Sequence, residues 1–97
     1  MSSKENILRK LDTIKPELKT RFNVREIGLF GSFVREEEME TSDIDILVEF
    51  EKPIGFFKFM ELEEYLELQL ERKVDLVSKK ALKPFIGQYI LEEVITV

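Results

Sequence analysis

Three features of the chain predict an α/β (α+β) fold, with a small mixed sheet packed mainly on one face against helices. Short strand-like runs alternate with segments whose apolar residues recur at helical spacing. Pro53 and Gly55 mark a turn between two of these segments. The length is 97 residues with 43% hydrophobic content, enough for one modest core and hence a single domain over residues 1–97.

Taken in order, Ser2 or Ser3 can cap a first helix, because a serine oxygen accepts from a free N–H of the first turn. Ile7, Leu8, Leu11, Ile14 and Leu18 then repeat along one face, and Pro16 is expected to kink this helix or to begin a new turn. Val24-Arg25-Glu26-Ile27-Gly28-Leu29-Phe30 reads as the first strand, ended by Gly31-Ser32. A short helix follows from Ser32, and Glu36-Glu37-Glu38-Met39-Glu40 reads as a solvated, flexible connection. The second strand is Ile44 to Phe50.

After the turn at Pro53 and Gly55, a long helix is expected from about Phe56 to Glu71. Its core-facing stripe is Phe56, Phe59, Leu62, Leu66 and Leu70, with Glu64, Glu67 and Glu71 facing water. Phe57, Tyr65 and Leu68 fall on a flank outside that stripe. Either neighbouring loops or the terminal helix cover this flank, or it docks another chain, including a second copy in a homo-oligomer. A third strand runs from Lys73 to Ser78, and a last helix begins near Pro84, a favoured first-turn position, and ends near Glu93.

The chemistry concentrates at the strand ends. Gly31-Ser32 is followed, after ten residues, by Asp43-Ile44-Asp45, and Asp75 lies within Lys73-Val74-Asp75-Leu76-Val77. A glycine lets backbone N–H groups approach a phosphate closely, and a serine at a helix start can donate its hydroxyl to the same group. Strand side chains alternate with period two, so Asp43 and Asp45 point to one side, and Asp75 can lie beside them. Three convergent carboxylates suit two Mg²⁺ ions about 3.5–4 Å apart, the arrangement that clamps both oxygens of an in-line displacement. Arg35 lies one helical turn beyond Gly31-Ser32, placed to reach a phosphate. Arg72-Lys73 reads equally as a solvated turn or as a phosphate contact.

Composition narrows the alternatives. The chain has no histidine and no cysteine, which excludes Ser-His and Cys-His schemes, zinc sites built on those ligands, and disulfides. Acid–base or metal chemistry then falls to carboxylates, lysine, tyrosine and hydroxyls, which favours Mg²⁺ bound through oxygen. A net charge of −5 argues against direct nucleic-acid binding, which needs a basic surface. Met1-Ser2-Ser3-Lys4-Glu5 lacks the apolar core of a signal peptide and no run approaches membrane-spanning length, so a cytoplasmic location is expected.

Leu29-Phe30-Gly31-Ser32-Phe33-Val34-Arg35, together with Ser42-Asp43-Ile44-Asp45-Ile46-Leu47-Val48-Glu49-Phe50, resembles the minimal nucleotidyltransferase (MNT) domain of the DNA polymerase β superfamily. With Arg72-Lys73-Val74-Asp75-Leu76-Val77 and the helix opening at Leu82-Lys83-Pro84, the resemblance covers nearly the whole chain. It implies a polymerase β-like fold in which Gly31 and Ser32 bind the nucleotide triphosphate. Asp43 and Asp45 would hold the metals, and Asp75 would complete the site and help activate the attacking hydroxyl. The family usually carries Arg-Gly-Glu after the Gly-Ser turn, where this chain has Arg35-Glu36-Glu37.

Larger enzymes of the superfamily carry an added domain that positions the acceptor, so a partner is expected to supply the acceptor here. For MNT proteins that partner is a helical HEPN RNase toxin, which the MNT antitoxin silences by transferring AMP from ATP to a tyrosine. The resemblance therefore implies a Mg²⁺-dependent protein adenylyltransferase antitoxin. Two other readings stand beside it: a non-catalytic module that masks its partner by contact, and a transferase acting on a small molecule.

Overall fold

A computed structural model describes residues 2–97. The elements run α1 (Ser3–Phe22), β1 (Val24–Phe30), α2 (Ser32–Arg35), β2 (Ile44–Phe50), α3 (Phe56–Leu70), β3 (Val74–Ser78), a 3-10 turn (Lys79–Ala81), α4 (Pro84–Glu93) and β4 (Ile95–Thr96). The sheet has the order β3-β2-β1-β4. β2 and β3 are parallel, and the other two pairings are antiparallel, giving the mixed sheet and α/β class expected from the sequence.

The first helix forms for local reasons. Ser2 caps it by accepting from the Glu5 N–H at 3.2 Å, and Asn23, in the left-handed conformation at φ 55°, closes it. The helix does not end at Pro16. That residue lies on the exposed face, while Ile14 and Leu18 on either side of it are buried and hold the helix to the sheet. Buried Leu11, Leu18 and Phe22 of α1, Leu62 and Leu66 of α3, and Ile27, Leu29, Ile44, Ile46 and Val48 of the sheet form the core. On β2 the core takes Ile44, Ile46 and Val48, so alternation turns Asp45, Leu47 and Glu49 to the opposite face.

The long helix departs from its expected stripe in three places. Phe56 is 71% exposed: as the first residue of α3 it overhangs the core and packs edge-on against Phe57, with ring centres 5.8 Å apart. Glu67 is half-buried rather than turned to water, and its Oε2 accepts from the Val74 N–H at 3.0 Å, satisfying the start of β3. Tyr65 packs on Phe22 at 5.7 Å and donates its hydroxyl to Glu17, so it belongs to the α1–α3 seam and not to a free flank. Phe57 and Leu68 are exposed.

The acidic connection is also more constrained than expected. Arg72 Nε donates to the Ser42 carbonyl at 2.7 Å, and its Nη2 to those of Met39 and Glu40 at 2.6 and 2.7 Å. Its guanidinium lies 5.1 Å from the centre of the Phe33 ring. Arg72 is therefore neither a bare solvated turn nor a free phosphate contact: it pins the segment that leads into Asp43. Glu36 stands where the family usually has glycine and adopts φ 58°, the left-handed conformation that glycine takes most readily.

β4 was not expected from the sequence. Gly28 admits it, since a Cβ there would come within 2.7 Å of Val94 and 2.9 Å of the Ile95 carbonyl. Lys15 Nζ then donates to the Val97 carbonyl at 2.6 Å, tying the chain's end to α1.

Candidate functional site

A cleft of about 680 Å³ opens between the ends of β1 and β2 on one side and α4 on the other. Gly31, Arg35 and Asp45 line the first wall, and Ile86, Tyr89 and Glu93 the second. Among the described residues this is the place where sheet carboxylates and the glycine turn meet.

Asp45 is the centre of the site. It pairs in register with Phe30 on antiparallel β1 and with Asp75 on parallel β3, so the two aspartates lie side by side across the sheet. Asp43 directly precedes β2, and both Asp43 and Asp75 are exposed. The Asp45 carboxyl is pushed up to about 6, first by burial, then by the negative charges of Asp75 and Asp43, with Arg35 acting against them. Those like charges show that the three carboxylates share one electrostatic neighbourhood.

Gly31 ends β1 at φ 81°, and a Cβ on it would collide with Asp45 Oδ2. Only glycine both takes this backbone conformation without strain and leaves room for the aspartate. Its N–H donates to Glu93 Oε2 at 2.8 Å. Ser32, half-buried, starts α2 next to it but does not line the cleft. Arg35 Nη1 donates to Glu93 Oε1 at 2.6 Å, and its Nε to Glu37 at 3.4 Å. Partial burial works to raise the Glu93 carboxyl, but the Gly31 N–H and the Arg35 guanidinium outweigh it and hold it below the ordinary value.

The expected set thus divides. Asp45, Gly31 and Arg35 share the cleft, with Asp43 and Asp75 beside Asp45 at its edge and Ser32 behind the glycine turn. No group of three acidic side chains among the described residues is gathered closely enough to be a finished metal cage. The donor chemistry nevertheless fits a hard divalent cation. All three are carboxylates, two of them exposed, and a cation would relieve the charge repulsion that adds to burial in raising Asp45. Glu93 was missed as a site residue, because its partners lie 62 and 58 residues away in sequence and no local pattern marks it.

Comparison with known proteins gives a consistent result. A family model described as a nucleotidyltransferase domain matches residues 11–97. The protein adenylyltransferase MntA of Thermococcus cleftensis is 53% identical over 97 residues, covering 100% of this chain and 98% of that protein. A solved structure provisionally described as a minimal nucleotidyltransferase superposes with a TM-score of 0.80 at 31% identity, covering 100% of this chain and 97% of the other. A toxin–antitoxin crystal structure with AMP-PNP gives a TM-score of 0.73 at 26% identity, covering 88% and 69%.

Proposed function

From the premise that the chain belongs to the nucleotidyltransferase domain family, we propose that it transfers AMP from ATP to a tyrosine of an HEPN-type RNase toxin and so acts as that toxin's antitoxin. Nucleotidyl transfer is the chemistry of the family, and protein adenylylation is the activity named for a relative that matches along the whole chain. The toxin–antitoxin structure with AMP-PNP supports both the kind of partner and the kind of nucleotide. The observation that carries the reading is Asp45, set in register beside Asp75 and packed against the Gly31 turn in an open cleft.

In this reading residues 1–97 act as one domain. Gly31 and Arg35 hold the β- and γ-phosphates from the cleft wall, and Ser32, behind the glycine turn, turns its hydroxyl to them as they bind. Asp43, Asp45 and Asp75 would hold two Mg²⁺ ions, whose chemistry is to neutralise charge on the transferring phosphoryl group and its leaving oxygen. Asp75 also accepts the proton of the attacking hydroxyl. The bond from the acceptor oxygen to the α-phosphorus forms as the bond to the β-phosphate oxygen breaks, and pyrophosphate leaves. A phenol has an ordinary pKa near ~10, so a carboxylate beside it is needed to make it a competent nucleophile at neutral pH. Ile86 and Tyr89, exposed at the cleft wall, give an acceptor protein an apolar surface to rest on.

The experiment is release of pyrophosphate from ATP and Mg²⁺ with the cognate partner present. Release should require the partner and should fall at least a hundredfold in Asp43→Ala, Asp45→Ala and Asp75→Ala. Equal protection of the partner by all three variants, without pyrophosphate, would establish the contact-masking module instead. Release with a small-molecule acceptor but not with the partner would establish the small-molecule transferase.

A further inference from the structure

Glu93 occupies two of the groups that the transferase reading reserves for phosphate, the Gly31 N–H and the Arg35 guanidinium. One carboxylate oxygen takes the Gly31 N–H at 2.8 Å and the other takes the Arg35 guanidinium at 2.6 Å. These are the donors a phosphate oxygen would use: the backbone N–H of a glycine at positive φ, and a forked cation. The Gly31 N–H has a single hydrogen to give. A phosphate brought to the same place would also meet a carboxylate of like charge, in a cleft that already holds Asp45.

We propose that Glu93 is a built-in anion that fills the phosphate-binding groups of the cleft, so that the triphosphate enters by displacing it. The inference rests on the reading of Gly31 and Arg35 as phosphate contacts and adds the residue that competes for them. Displacement needs no unfolding. The Glu93 side chain keeps 22% of its surface open to water, so a change of rotamer moves it out. α4 itself is lightly seated: of its ten residues only Gly87 is buried, while Phe85, Ile86 and Tyr89 are largely exposed. Glu93 thereby selects for a highly charged chain, because a ligand must replace both of its bonds to gain entry. A nucleoside without phosphates makes no claim on them.

The test is calorimetric titration of the whole protein with inorganic tripolyphosphate, ATP and adenosine. Glu93→Gln keeps length and shape but removes the charge. It should bind tripolyphosphate and ATP at least threefold more tightly than wild type, with adenosine unchanged. In wild type, the Gly31 amide signal in NMR should shift as tripolyphosphate is added. A residue that only braced the site would give the opposite sign, since losing a brace weakens binding. Equal or weaker phosphate binding by Glu93→Gln therefore overturns the proposal and leaves the transferase reading intact. If neither protein binds ATP or tripolyphosphate, the phosphate site is absent and both fall. Should Glu93→Gln fail to fold, Glu93→Asp serves, because its shorter side chain cannot span both donors; it too should tighten tripolyphosphate binding, and failure to do so overturns the proposal.

Discussion

At the scale of single residues, the site trades stability for charge density. Asp45 ordinarily titrates at 3.8 and is raised to about 6, so the folded state holds its proton more tightly than the unfolded chain does. Its contribution therefore favours the fold at low pH and is lost as pH rises from about 4 to about 6. Asp45→Asn should raise the melting temperature at pH 8 without divalent cations, flatten stability across that window, and remove the further rise that Mg²⁺ with ATP gives the wild type. Thermal scans from pH 4 to 8 check all three; an unchanged melting temperature with the ligand response retained would contradict the role. Gly31→Ala should cost about 1–3 kcal/mol for the backbone at φ 81° and ψ −153°, a region open essentially to glycine alone, and more for the clash with Asp45, as denaturant titration would show. The placement of Asp43, Asp45 and Asp75 in one neighbourhood was legible in the sequence because period-two alternation and a glycine turn are local signals. The competitor at Glu93 was not, because its bonds close only after α4 has crossed to the end of β1.

Among the elements, legibility followed periodicity. α1 and α3 announce themselves by buried residues three and four apart, such as Leu11, Ile14 and Leu18, or Leu62 and Leu66. β4, with two residues, has no period to read and depends on the missing side chain of Gly28. The stripe on α3 was misread at Phe56 because helical spacing does not reveal where the sheet beneath the helix stops. Leu66→Ala should therefore destabilise by about 2–5 kcal/mol, whereas Leu68→Glu should fall within about 0.5 kcal/mol of wild type. If Leu68→Glu unfolds the protein, that position is core. If it keeps the circular dichroism spectrum and weakens self- or partner association, the α3 flank is a docking surface. Arg72 was undecided from sequence because its three acceptors are carbonyls, which sequence does not mark. Arg72→Ala should cost about 1–3 kcal/mol and slow transfer by loosening the segment before Asp43, measured by melting and by rate.

For the whole molecule, the sheet keeps its core on one face and its carboxylates on the other, so the proposed chemistry and the packing of the core make separate demands on β2. On that separation, Asp45→Asn should gain stability where Ile44→Ala or Ile46→Ala should lose it. The cleft of about 680 Å³ has Ile86, Tyr89 and Ile90 of α4 along one wall, and in the proposed reading the nucleotide lies on the sheet side and the acceptor protein on the helix side. No helix among the described residues is long and apolar enough to cross a membrane, and the net charge of −5 suits a protein acceptor better than a nucleic acid. The most direct measurement is the intact mass of the cognate partner after incubation with this protein, ATP and Mg²⁺, followed by peptide mapping. The partner should gain the mass of AMP on a tyrosine, with wild type but not with Asp75→Ala, while both still bind it. A partner silenced at unchanged mass would contradict adenylyl transfer as the mechanism.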